Sequence, residues 1–137
     1  RIDEDLLVIA GDNLFDFGID DFINFYNQHK KTSIAVYDFN DKSKVANRFG
    51  VVELDKNKRV ISFEEKPSNP KTSLASTLCY ILPRNYLHHL GKELFKEDAG
   101  ELIAHLVDNG EVYGFDFKGK WFDVGTYEDL DRARIEF

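Results

Sequence analysis

Residues Leu6-Leu7-Val8-Ile9-Ala10 form an unbroken apolar run closed by Gly11. A strand with one wet face alternates apolar and polar side chains. A run without alternation suits a strand covered on both faces, as at the centre of a parallel sheet. That segment commits the chain to a sheet with helices packed over it. Ile19, Phe22, Ile23 and Tyr26 then recur at the i, i+3, i+4, i+7 spacing of an amphipathic helix. Asp20 and Asp21 in its first turn and His29, Lys30 and Lys31 near its end match the helix dipole. Thr32 to Phe39 reads as the next strand, and the helical crossover predicts parallel pairing of the two strands.

Further along, Arg48 to Leu54 and Arg59 to Glu65 flank Asp55-Lys56-Asn57-Lys58, which predicts an antiparallel hairpin. Lys66-Pro67-Ser68-Asn69-Pro70 breaks the pairing, and Pro67 predicts an extended Lys66. Leu74 to Leu82 is strand-like, and Tyr86, Leu87, Leu90 and Leu94 suggest a helix after Pro83. Asp98-Ala99-Gly100-Glu101 has the form of a capping box, with Leu102, Ile103, Leu106 and Val107 as the apolar face behind it. Val112 to Phe117 is a strand, and Thr126 is a good N-cap for a last helix. The class is α/β with a mixed sheet.

The 137 residues fit a single domain, with 42% hydrophobic and 31% charged residues, so wholesale disorder is excluded. The chain has no methionine and opens almost at once on a core strand, which predicts a fragment. Eighteen Lys and Arg against 25 Asp and Glu give a net charge of -7. Duplex nucleic-acid binders carry the opposite sign, so that partner is set aside. A polyanionic substrate is not, because a metal ion can supply local positive charge. The single cysteine, Cys79, cannot close an intramolecular disulfide, and a reducing, cytoplasmic setting is the simplest expectation. No apolar run is long enough to span a membrane.

Three segments could carry chemistry. Gly11-Asp12-Asn13 follows the first strand, and open α/β sheets bind ligands outside the carboxyl ends of strands. Glu64-Glu65-Lys66-Pro67 ends another strand, where a lysine is a natural point charge for a phosphate. Trp121-Phe122-Asp123 places a carboxylate beside apolar groups, a desolvation that a cation offsets. The competing readings are a capped turn for Asp12, a solvated hairpin end for Lys66, and a core Trp121 beside a turn-forming Asp123. Two carboxylates on strand ends suit Mg2+, which takes one or two protein carboxylates and is completed by water and substrate phosphates. His88-His89 and His105 lack zinc spacing, and Cys79 on an apolar strand reads as buried and inert.

Taken in order, VIAGDN, FGVVELD, FEEKP, ASTLCYIL followed by DAGELIAHLV, and WFDVGTYEDL resemble the sugar-phosphate nucleotidyltransferases. These are the NDP-sugar pyrophosphorylases, including glucose-1-phosphate thymidylyl- and uridylyltransferases. The likeness runs from about Leu7 to Ala133. It implies a Rossmann-like three-layer mixed sheet, and transfer of a nucleotidyl group from an NTP to a sugar 1-phosphate with Mg2+, releasing pyrophosphate. By this resemblance Asp12 and Asp123 are the metal ligands and Lys66 contacts the sugar 1-phosphate. Glu65 binds sugar hydroxyls, Gly50 admits the sugar to the backbone, Thr77 and Tyr80 fall in the strand lining the sugar pocket, and Asn13, counted with these substrate-binding residues, neighbours the metal. A homo-oligomer is compatible with it. There are two departures. Leu78 stands where the family often has glycine. The family's Gly-rich nucleotide loop, with its arginine and lysine, has no counterpart, so residues 1–137 read as a partial catalytic domain holding the metal and sugar-phosphate half. A non-catalytic sugar-phosphate-binding member is the main alternative. A glycosyltransferase ranks last, because Gly11-Asp12-Asn13-Leu14 lacks the Asp-x-Asp spacing of those enzymes.

Overall fold

The computed structural model describes residues 4–86 and 99–137. Their elements are β1 (Leu6–Ile9), β2 (Asn13–Phe15), α1 (Ile19–His29), β3 (Thr32–Asp38), β4 (Gly50–Leu54), β5 (Val60–Glu65), β6 (Leu74–Leu82), α2 (Ala99–Asn109), β7 (Val112–Asp116), β8 (Trp121–Asp123) and α3 (Tyr127–Glu136). The main sheet runs β5-β4-β6-β3-β7, with β1 also on β6, and β2 and β8 form a separate ribbon.

The centre of this sheet is β6, not β1. Cys79, Tyr80, Ile81 and Leu82 are all buried, and so are Thr32 to Val36 of β3 beside them. The expected doubly covered parallel β1 is corrected. It pairs antiparallel with β6 alone among the described residues, and its burial alternates, with Leu7 38% and Ile9 43% exposed. Leu6 and Val8 face the core while the second apolar face lies open. The crossover expectation needs the same correction. β1 and β3 do run in one direction, but β6 is inserted between them, antiparallel to both. The parallel pair is β3 with β7. Periodicity reports which faces are apolar; it carries no information on which strand arrives between two others.

α1 lays Phe22 and Tyr26 on one sheet face, among Ala35, Cys79, Ile81, Phe117 and Trp121. α2 lays Leu102, Ile103 and Leu106 on the other, against Ile34, Val52, Tyr80 and Leu82. Each fully buried large apolar side chain contributes about 1.5–3 kcal/mol. The result is a three-layer arrangement, helix, sheet, helix.

The hairpin of β4 and β5 forms as expected, and its turn is tied by Asp55, whose carboxylate accepts the N–H groups of Asn57 at 2.8 Å and Arg59 at 3.0 Å. Thr126 caps α3, accepting from the Asp129 N–H at 3.1 Å while Asp129 accepts from the Thr126 N–H. Asp98 of the anticipated capping box, His88-His89, and most of the helix expected after Pro83 lie outside the described residues.

One detail of β6 shapes everything that follows. β1 pairs with its carboxyl half, from Cys79 to Leu82, and the Ala10 N–H still reaches the Leu78 carbonyl at 2.9 Å. β4 meets the same strand at Ala75. Where β1 leaves the strand and β4 joins it, beside Ser76 to Leu78, the sheet opens into a cleft.

Candidate active site

Glu65, Lys66, Gly100 and Asp123 line that opening, and Asp12 stands beside it, next to the lining residue Asn13. Gly11-Asp12 leaves the end of β1, Glu65-Lys66 leaves the end of β5, Asp123 ends β8, and Gly100 lies in the first turn of α2. The cleft encloses about 230 Å³ and is lined by Asn13, Arg48, Gly50, Phe63, Glu65, Lys66, Ser76, Leu78, Gly100, Trp121 and Asp123, among others.

The ribbon of β2 and β8 sets Asn13 opposite Asp123, and the Val124 N–H donates to the Asp12 carbonyl at 2.8 Å. Asp12 and Asp123, 111 positions apart in the chain, are thereby brought to one side chain. The Asn13 Nδ2 group donates to Asp12 Oδ1 at 3.0 Å and to Asp123 Oδ1 at 3.3 Å. Desolvation pushes the Asp123 carboxyl above the usual carboxylate range, and the negative charges of Asp12 and Asp129 push it further. The Arg48 guanidinium and the Asn13 hydrogen bond act the other way. Two like charges are thus held close, each with a second oxygen that has no side-chain partner among the described residues. Among the described residues no cluster of three or more His, Cys, Asp or Glu side chains stands anywhere. Two hard oxygen donors with room for water and phosphate fit Mg2+ and not a closed structural centre.

On the opposite wall, Glu65 and Lys66 follow from the end of the hairpin. The Lys66 N–H donates to the Phe49 carbonyl at 3.1 Å, and the Pro67 carbonyl accepts from Asn47 at 2.9 Å. Lys66 has φ +47°, so the expected extended conformation is corrected. Proline disfavours the right-handed helical region for its predecessor, and here the chain turns through the left-handed one instead. The Glu65 carboxylate lies in a space made by two glycines. A Cβ on Gly100 would come 2.3 Å from Glu65 Oε2, and one on Gly50 would come 2.7 Å from the Phe63 ring and 3.4 Å from the same Oε2. Its position at the start of α2 is favourable for a negative charge.

The remaining anticipated residues divide by the pleat of β6. Ser76 and Leu78 line the cleft. Thr77 points to the other face, where its hydroxyl donates to the Ala35 carbonyl at 2.6 Å and accepts from the Cys79 N–H. Tyr80 shares the face of Leu78 but is buried in the core under α2. Neither is among the residues that line the cleft, although the strand that carries them lines it through Ser76 and Leu78. Cys79 is buried, and burial pushes its thiol up to about 11. Sequence reading missed Arg48, whose guanidinium lies over the Phe49 ring at 5.0 Å and donates to the Lys44 carbonyl at 3.4 Å. Its position directly before Phe49-Gly50 was the available signal. It also missed Gly100, for which no signal existed without the packing of Glu65.

A family model described as nucleotidyl transferase matches residues 2–136. The chain belongs to the nucleotidyltransferase family. Among solved structures, this nucleotidyltransferase chain is similar to a protein described as a glucose-1-phosphate thymidylyltransferase from Bacillus anthracis, determined in complex with sucrose. That match has a TM-score of 0.77 at 26% identity and covers 97% of this chain and 54% of the other. It is also similar in fold to a UDP-glucose pyrophosphorylase complexed with UDP-glucose, with a TM-score of 0.77 at 21% identity, over 97% of this chain and 56% of the other. The chain thus spans about half the length of the structures it matches. These likenesses bear out the sugar-phosphate nucleotidyltransferase resemblance and the Rossmann-like mixed sheet. No helix among the described residues is long and apolar enough to cross a membrane.

Proposed function

We propose that this chain supplies the metal and sugar-phosphate half of an enzyme that joins a nucleoside triphosphate to a sugar 1-phosphate, giving an NDP-sugar and pyrophosphate. The observation that carries the reading is the convergence of Asp12 and Asp123 on one Asn13 amide, across a cleft from Lys66. In this reaction an oxygen of the sugar phosphate attacks the α-phosphorus, an O–P bond forms, and the bond to the leaving pyrophosphate breaks. Both reactants are anions, so positioning and charge neutralisation carry the catalysis and no side-chain nucleophile is needed. Asp12 and Asp123 would hold Mg2+, which would offset phosphate charge. Lys66 binds the phosphate of the sugar 1-phosphate as a point charge. Glu65, seated between Gly50 and Gly100, accepts hydrogen bonds from sugar hydroxyls, and Gly50 lets the sugar approach the backbone. Arg48 adds a second cation on the Asp123 side. Leu78 narrows the cleft floor and restricts which sugars enter.

The full-length protein, given Mg2+ and a panel of nucleoside triphosphates and hexose 1-phosphates, is expected to release pyrophosphate, and Asp123→Asn to lower the release about 10²–10³-fold. A folded protein that binds sugar phosphate but turns over no pair in the panel supports the non-catalytic alternative, which the bulk of Leu78 in the cleft favours.

A further inference from the structure

Asn13 is 8% exposed, and all of its hydrogen-bonding capacity is used. Its Nδ2 serves the two carboxylates, and its Oδ1 accepts from the Trp121 indole Nε1–H at 3.0 Å and from the Leu78 backbone N–H at 3.4 Å. An indole N–H and a backbone N–H can only donate, and ionised carboxylates can only accept. The amide therefore has one orientation consistent with its four neighbours. Turned over, it would set Oδ1 against two negative oxygens and its N–H groups against two donors. The Trp121 bond is the shorter of the two on Oδ1 and is buried. It is the stronger constraint on which way the amide faces.

We propose that Asn13, locked by the indole of Trp121, is the positioning residue that holds Asp12 and Asp123 ready for the cation. The proposal rests on the metal reading given above and deepens it. Two carboxylates brought to one amide repel, and left alone they would part. Two N–H groups placed between them oppose that repulsion while occupying only Oδ1 of each, leaving Oδ2 of each to face a cation. Because Oδ1 also takes the Leu78 N–H, the same amide ties the carboxylate pair to the floor of the sugar cleft. Asn13 touches no reacting atom in this scheme; it acts through the two aspartates.

Mg2+ titration of the full-length protein, followed at the Trp121 indole Nε1–H resonance, tests the proposal. That resonance is identified by its loss in Trp121→Phe. In the wild type it is expected to shift with Mg2+ occupancy, since one amide separates it from both carboxylates. Asn13→Leu, similar in shape but without polar atoms, is expected to weaken Mg2+ binding about ten- to a hundredfold and, by leaving the Trp121 and Leu78 N–H groups unpaired, to lower the thermal midpoint. Trp121→Phe keeps the amide but releases it, and calorimetric titration is expected to give a smaller loss. In the double variant the loss should not exceed that of Asn13→Leu alone. Unchanged affinity in folded Asn13→Leu, or losses that add in the double variant, overturns the proposal. Should Asn13→Leu not fold, Trp121→Phe decides, and wild-type affinity there overturns it. Asp123→Asn separates this inference from the reading beneath it. Mg2+ binding retained in Asp123→Asn defeats the metal reading itself, whereas binding lost there but intact in Asn13→Leu defeats only the role of Asn13.

Discussion

The two walls of the cleft are built on opposite plans. On the wall of β1 and β8, Asp12, Asn13, Asp123 and Trp121 form one hydrogen-bonded unit with a satisfied amide at its centre. On the wall of β5, Lys66 has no ion-pair partner among the described residues, and Glu65 is placed by the absence of two Cβ atoms more than by polar contacts. The first wall is fixed before any ligand arrives, which suits a small ion with strict geometry. The second is held at the backbone, with no ion pair on Lys66 or Glu65 among the described residues, which suits a larger substrate that can complete the contacts itself.

The contrast can be broken most sharply at Asp123. Asp123→Asn is expected to lower pyrophosphate release about 10²–10³-fold. Without metal the same variant is expected to raise the thermal midpoint by about 2–4 °C, because it removes one of two like charges held close. A fall in stability together with activity would make Asp123 a structural residue. On the other wall, Lys66→Ala is expected to lower kcat/KM for the sugar 1-phosphate about a hundredfold while leaving Mg2+ affinity unchanged. Equal losses in both would mean the walls are not independent.

Much of this was legible in the sequence, and the failures are instructive. The hairpin, the extent of β6, the Thr126 cap and the three chemistry-bearing segments follow from local signals: turn residues, alternation, a capping pattern. The position of β6 between β1 and β3 does not, because strand order is decided by which apolar faces find each other. The conformation of Lys66 was misread because proline restricts its neighbour without choosing among the regions that remain. Thr77 and Tyr80 fall on a strand adjoining the cleft, yet one points to the opposite face and the other lies too deep. A strand assignment gives parity only after one residue is anchored to a face. The Asn13 hub was hidden for a different reason: its partners lie at positions 12, 78, 121 and 123.

Smaller effects sharpen the comparison on the second wall. Gly100→Ala puts a Cβ where Glu65 Oε2 now lies, and is expected to raise KM for the sugar phosphate about tenfold. Alanine is the better helix former, so stability should not fall with it. Last comes Cys79, whose thiol is pushed up from 9.0 to about 11 by burial. Iodoacetamide at about pH 8 should label it only after denaturation. The unfolded thiol loses its proton first as pH rises, so between the two values the unfolded chain binds fewer protons. Folding stability should therefore decline across that window and not below it.

The junction on β6 has an evolutionary corollary. β1 and β4 approach the same edge of one strand from opposite ends, and the chain between them makes β2, α1, β3 and a loop before returning. The span of the cleft is therefore counted in residues of β6 and not in the length of that excursion. Length changes confined to the exposed loop residues between β3 and β4 would leave Asp12 in place relative to Gly50, whereas a one-residue slip in β6 or in the buried β3 beside it would change the gauge of the site.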